Sequence, residues 1–254
     1  MKNIINWKLF FILLFTGLIV SFLVLPFSLE LSGKSVDIFT PTVIIISILQ
    51  SIVLLSVAIF VGLLLSKQVG FGVPVLQGLL EGKNQTQKLK QILKPAVGLG
   101  LLGGILVILL SLPFGNSITF LKAEISVATW KAFLASFYGG IGEEIYFRLF
   151  MLTLFVWITY KIRKTKDGHP TIFGIWLSII LTSIIFGLGH LGITGEITSI
   201  TSVIIIRAVI LNGVVSVIFS WLYWKKGLEA AMIAHFSTDI VLHIITPTIA
   251  SLFI

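Results

Sequence analysis

No cysteine occurs among the 254 residues of this chain. Disulfides, thiol nucleophiles and thiolate metal sites are therefore excluded from the start. Charge is also scarce. Only 11% of the residues are Asp, Glu, Lys or Arg, roughly half of what a soluble domain carries. Acidic residues are the rarest, 10 against 18 basic ones, for a formal net charge of +8. No internal repeat and no low-complexity tract is visible. What remains is apolar, 57% of the chain, and it is gathered in long runs. Short alternating segments, the mark of a transmembrane β-barrel, are missing.

The runs cover about 7–27, 41–66, 94–113, 125–161, 171–190, 202–223 and 227–247. Several reach the ~20 residues that a helix needs to cross ~30 Å of hydrocarbon. They predict an all-α, polytopic transmembrane helix bundle of seven to eight helices, a single membrane domain over 1–254. The count depends on 125–161, which is too long for one upright helix and is either one tilted helix or two pieces broken near Gly139-Gly140. The first run is too long for a signal-peptide core and reads as a retained span.

The basic residues fall into four groups: Lys2 and Lys8; the linker with Lys67, Lys83, Lys88, Lys90 and Lys94; the loop with Lys161, Arg163, Lys164 and Lys166; and the turn at Lys225-Lys226. All four share one side if 125–161 crosses an odd number of times. The positive-inside rule makes that side cytoplasmic and the N-terminus with it. The positive charge thus reads as topology and contact with the lipid bilayer, not as a nucleic-acid surface. The linker, about 67–93, mixes leucines with lysines and predicts an amphipathic helix lying in the interface.

Ionisable residues inside spans are costly and are functional candidates by default. Here they are Glu143, Glu144, Arg148, His190, Arg207, His235, Asp239 and His243. Helical residues four apart share a face, so Glu144 can pair with Arg148, and His235 shares a face with Asp239. Glu143 is turned about 100° away from Glu144 and is free to face a cavity. Arg207 is expected to pair with Glu196 or a carbonyl, and His243 to be structural. No serine has triad company; Ser237 lies on another face from His235. Two histidines and a carboxylate suit a zinc hydrolase, yet the sequence has no His-Glu-x-x-His. A metal-free hydrolase, with a buried carboxylate as general base, suits them too. One tension stands in this reading: along ideal helices His190 lies about 28 Å beyond residue 171, and His235 only about 12 Å beyond residue 227.

Three stretches, "EEIYFR" from Glu143, "FGLGH" ending at His190 and "HFSTD" from His235 to Asp239, together resemble the EExxxR, FxxxH and HxxxN/D motifs of the CPBP family. That family comprises CAAX prenyl proteases of the Rce1 type and bacterial relatives linked to bacteriocin processing and immunity (Abi-like). The resemblance covers roughly residues 125–245. It implies an Rce1-like intramembrane protease fold of eight helices. A catalytic CPBP-like core would lie at 125–247, and 1–124 would hold variable N-terminal helices. It implies an intramembrane endopeptidase of a bacterial cell membrane that cleaves a membrane-associated, prenylated or otherwise lipid-anchored protein or peptide. Glu143 would activate water and His190 would share it. Glu144 and Arg148 would hold that geometry, and His235 and Asp239 would stabilise the oxyanion. No cofactor is certain; a divalent metal such as zinc would fall to Glu143, His190, His235 and Asp239. Two departures stand out. Asp239 occupies a position that is often asparagine, and Leu149 one that is commonly glycine. The alternatives in other classes are a non-proteolytic bacteriocin immunity or membrane scaffold protein and, more weakly, a small transporter, for which no inverted hydropathy repeat is visible.

Overall fold

The computed structural model describes residues 5–35, 40–115 and 117–253; Lys2, one of the topology markers, lies outside them. In chain order the helices are α1 (Trp7–Leu23), α2 (Leu25–Leu31), α3 (Pro41–Val69), α4 (Pro74–Leu80), α5 (Thr86–Ser111), α6 (Ser117–Ile125), α7 (Thr129–Phe137), α8 (Thr153–Ile162), α9 (Ile172–Gly189), α10 (Leu191–Ile197), α11 (Ser202–Lys226), α12 (Leu228–Asp239) and α13 (Thr246–Ala250). Local chemistry starts and stops them. The side chains of Asn6, Thr40, Thr171 and Thr201 each accept a backbone N–H of the first turn, the usual N-cap. Pro41 opens α3, and Gly70, with φ +76°, closes it.

Seven helical stretches are long and apolar enough to span a membrane: Trp7–Leu31, Pro41–Val69, Thr86–Phe114, Thr129–Ile162, Ile172–Ile197, Ser202–Lys226 and Leu228–Ala250. The chain is a multi-pass integral membrane protein with an all-helical fold. Thr129–Ile162 is one continuous crossing, not two pieces. Its middle does not break at the glycines but widens into π-helical turns over Tyr138–Glu143 and Ile145–Leu152. A second π-helical stretch, Ile240–Ile245, joins α12 to α13. Widened turns free carbonyls, and a threonine accounts for one in each stretch. Thr153 donates to the Arg148 carbonyl at 3.1 Å, and Thr246 to the Val241 carbonyl at 2.7 Å.

Small residues set the closest helix contacts, as expected where lipid removes any hydrophobic drive for association. Gly100 and Gly104 of α5 lie against α12. A Cβ on Gly100 would overlap the Ala234 carbonyl, and one on Gly104 would come within 2.7 Å of Val241. Thr238 ties the same two helices with a 2.8 Å bond to the Gly100 carbonyl.

The linker departs from expectation. Instead of one interfacial helix it forms a short α4 and the first turns of α5, and α4 is tied to the start of α12. Leu228 donates its N–H to the Gly72 carbonyl at 3.0 Å, and the Glu229 carboxylate accepts the N–H groups of Val75 and Leu76 at 2.8 Å each. Leu228 is fully buried. The start of α12 is thus covered by the 70–76 segment, directly after the exposed Lys225 and Lys226. His190 and His235 nevertheless meet at one carboxylate, as described below.

The Leu149 departure also has a structural counterpart. Leu149 is fully buried on the face that meets α3, where Gly62 stands opposite it. A Cβ at Gly62 would lie 2.5 Å from the Leu149 carbonyl oxygen and 2.7 Å from its Cγ. Backbone cannot yield as a side-chain tip can. Gly62→Ala should therefore destabilise the protein by about 1–3 kcal/mol, read as a lower unfolding midpoint in detergent micelles; an unchanged midpoint would mean that α3 slides freely over the π-helical turns.

Candidate active site

The site assembles from four crossings. The π-helical middle of Thr129–Ile162 supplies Glu143, Glu144 and Arg148, the end of α9 supplies His190, α12 supplies His235 and Asp239, and α11 packs behind them.

At the bottom is a sealed ion pair. Glu144 and Arg148 have no exposed surface, and Arg148 Nη1 stands 3.0 Å from Glu144 Oε1. The guanidinium also donates through Nη2 to the Ser216 hydroxyl at 2.9 Å, and it lies over the rings of Phe186 and Phe219, 4.7 and 5.2 Å from their centroids. A buried charge is costly unless it is paired and hydrogen-bonded; the pair is made, while Glu144 Oε2 and Arg148 Nε and Nη1 have no hydrogen-bond partner among the described residues.

The same Glu144 oxygen receives His235 Nδ1 at 2.7 Å. Since a carboxylate only accepts, Nδ1 carries a hydrogen. Phe219 stacks flat on the imidazole, 4.5 Å away at 20°. With one nitrogen tied and one face covered, the ring cannot turn. Its Nε2 points to the other side, 3.8 Å from Glu143 Oε2 and 3.6 Å from Asp239 Oδ1. The orientation of His235 thus belongs to Glu144; Asp239 stands at the opposite nitrogen.

His190 ends α9, and its ring folds back on its own helix so that Nδ1 lies 2.8 Å from the Phe186 carbonyl. A carbonyl oxygen accepts, so Nδ1–H donates and the neutral ring keeps its lone pair on Nε2. That Nε2 lies 4.0 Å from Glu143 Oε2. Both imidazoles therefore reach the same carboxylate oxygen from different helices. The Glu143 side chain is 20% exposed and that of His190 27%, whereas Asp239 shows 11% and His235 7%. Access falls from Glu143 and His190 inwards to Glu144 and Arg148.

Glycines make room for this arrangement. A Cβ on Gly139 would overlap the Asp239 carboxylate and lie 3.2 Å from His235 Nε2. Gly139 is thus pressed directly against the polar residues of α12, and Gly140 against Phe236 and the Met232 carbonyl.

All six residues singled out in the sequence meet here. The others do not. Arg207 does not pair with Glu196, which bonds Lys34 at 2.8 Å; its guanidinium lies 3.9 Å from the centroid of Phe120 instead. His243 binds Glu124 at 3.0 Å and packs edge-on against Phe27. Ser237 donates to the Ile233 carbonyl of its own helix. Sequence reasoning missed Ser216 and Phe219. Both lie in an ordinary apolar span, and only their three-residue spacing on one face of α11 could have marked them.

Carboxylates and imidazoles are zinc ligands at about 2.0–2.2 Å; here Glu143, His190, His235 and Asp239 would be the ones to hold a metal, their facing atoms 3.6–4.0 Å apart. No step below runs through one.

Residues 125–241 match a family model described as "Rce1-like: Type II CAAX prenyl endopeptidase Rce1-like". No curated protein and no solved structure matches the chain.

The ion pair can be tested separately from any activity. Glu144→Gln keeps an acceptor for His235 but strands Arg148, and should cost about 3–5 kcal/mol. Adding Arg148→Met should recover most of that loss in the same detergent unfolding assay. A double variant as weak as the single one would show that the charge pair is not what the buried site depends on.

Proposed function

Residues 125–241 belong to the Rce1-like type II CAAX prenyl endopeptidase family, and from that membership we propose that Glu143 is the general base of an intramembrane endopeptidase. Proteases of this family act on membrane-associated substrates in the bilayer. The observation that carries the finer reading is the convergence of His190 Nε2 and His235 Nε2, 4.0 and 3.8 Å away, on Glu143 Oε2, an oxygen without a hydrogen-bond partner among the described residues. Those separations are too long for direct hydrogen bonds and match what one bridging oxygen atom spans.

The chemistry follows from the tautomers. A water between Glu143 and His190 donates one hydrogen to the carboxylate and the other to the His190 Nε2 lone pair. Glu143 takes its proton as the water oxygen bonds to the scissile carbonyl carbon, and the carbonyl π electrons move to oxygen. With Nδ1–H held by Glu144, His235 acts as the imidazolium, its second hydrogen on Nε2 facing Glu143 and Asp239, where a lone pair would oppose two carboxylates; this N–H is the donor to the oxyanion. Asp239 adds a second donor only as the neutral acid, a form that an apolar site can sustain in other enzymes. The oxyanion then collapses, the C–N bond breaks, and the amine leaves with the proton held by Glu143. Glu144 and Arg148, sealed from substrate, are positioning residues. The lysine-bearing ends are placed on the cytoplasmic side, with the N-terminus there.

The test is Glu143→Gln beside the wild type on a panel of membrane-tethered peptides. Turnover should fall about 10²–10⁴-fold while the unfolding midpoint holds. Wild-type turnover should survive a chelator. Turnover retained by Glu143→Gln would refute the base, and chelation loss reversed by zinc would replace this mechanism with a metal-dependent one.

A further inference from the structure

A cleft of about 360 Å³ opens between the first span, the second span and the helix that carries Glu143. That volume lies in the range of binding pockets. Its lining is unexpectedly polar for a place between membrane helices. Ser47, Gln50 and Ser51 come from one face of α3, Tyr138 and Tyr146 from the π-helical turns, and Ser21 from α1.

Depth makes this polarity informative. Gln50 lies about 14 Å along α3, whose 29 residues span about 43 Å against a hydrocarbon layer of ~30 Å. It is exposed at the protein surface, yet its amide makes no hydrogen bond to any described residue. The hydroxyls of Ser47, Ser51, Tyr138 and Tyr146 make none either, whereas Ser21 donates to the Gly17 carbonyl of its own helix at 2.8 Å. An amide and four hydroxyls left to acyl chains are unfavourable, because nothing there can bond them. They require a partner with donors and acceptors of its own. The lining carries no cation, which argues against a phosphate or carboxylate. Its mixed, uncharged donors and acceptors match the peptide group.

The cleft shares a helix with the proposed base, about one turn away. Tyr138 packs on Gly142, the residue before Glu143, with its ring 2.8 Å from where a Cβ would stand. It is within electrostatic reach of both Glu143 and Tyr146.

We infer that this cleft is a substrate subsite that binds the extended polypeptide backbone flanking the scissile bond, through Gln50 and the hydroxyls of Ser47, Ser51, Tyr138 and Tyr146. The inference rests on the endopeptidase reading above and adds its substrate chemistry: recognition through unfolded main chain, with its amides offered sideways from the bilayer. An unwound stretch supplies the N–H and C=O groups that a helical segment keeps to itself. Substrates with a helix-breaking stretch next to the cleaved bond are therefore favoured over continuous helices.

The experiment uses the full chain in phosphatidylethanolamine–phosphatidylglycerol bilayers. The probe is an N-palmitoylated fluorogenic peptide, accompanied by depsipeptide versions in which each amide flanking the scissile bond is replaced in turn by an ester. Gln50→Leu should raise KM about three- to tenfold, the size of one or two neutral hydrogen bonds, with kcat within about twofold. At one ester position the wild type and Gln50→Leu should become equal. Ser47→Ala/Ser51→Ala should act in the same direction. An unchanged KM, or an equal penalty on every ester probe, would overturn the subsite. Independently of turnover, Gln50 is replaced by photoreactive p-benzoylphenylalanine in the Glu143→Gln background. The labelled peptide should be captured; adducts only with phospholipid or with a second copy of the chain would overturn the assignment. If the wild type cleaves nothing but the peptide is still captured, the endopeptidase reading fails and the subsite stands. If cleavage depends on Glu143 but neither KM nor cross-linking responds at position 50, the subsite alone fails.

Discussion

A carboxylate cannot sit in hydrocarbon unaccompanied, and the arrangement of this protein follows from how Glu144 is accompanied. Arg148 neutralises it, Ser216 and two phenylalanine rings hold the guanidinium, and the remaining valence of the shared oxygen fixes His235. That one oxygen settles two matters at once. It balances the charge in the deepest layer of the site, and it selects which nitrogen of His235 is left to face Glu143. A buried pair is weak evidence for stability; here its contribution is orientation. The two glutamates are adjacent in sequence and opposite in use because successive residues on a helix face different directions. One is turned into the protein and sealed, the other towards the accessible cavity.

The backbone around this pair is as specialised as the side chains. π-Helical turns are rare and tend to appear at functional sites, and here they occur in two of the three helices that carry motif residues. In each, the broadened turn is closed by a threonine hydroxyl five residues past the carbonyl it serves. The glycines between Tyr138 and Glu143 allow α12 to approach until a methyl group at position 139 would strike Asp239. Widening and close approach together bring carboxylates from two helices to the same imidazole.

Much of this was legible in the sequence. Long apolar runs located every crossing, five of them to within about four residues, while the third begins eight residues earlier and the fifth ends seven later than the runs; the spacing of Glu144 and Arg148 gave their pairing directly. The three polar motifs located the site because charge is so scarce elsewhere that each occurrence carries weight. What could not be read is what depends on partners far apart in the chain. Nothing local says that Phe219 covers His235, that Gly62 accommodates Leu149, or that Glu196 chooses Lys34 over Arg207. The meeting of His190 and His235 was hidden for the same reason: residue counts along ideal helices do not include the tilt and packing that decide where two side chains meet. The π-helical turns escaped because no residue type marks them.

The falling accessibility from Glu143 and His190 to Glu144 and Arg148 bears on a reactant that soluble hydrolases never run short of. Beneath a lipid surface, water is supplied one molecule at a time. Each turnover consumes one, so the concentration that matters kinetically includes that of the solvent itself. Dehydrating conditions that a cytosolic hydrolase would tolerate become, for a catalyst built this way, a form of starvation.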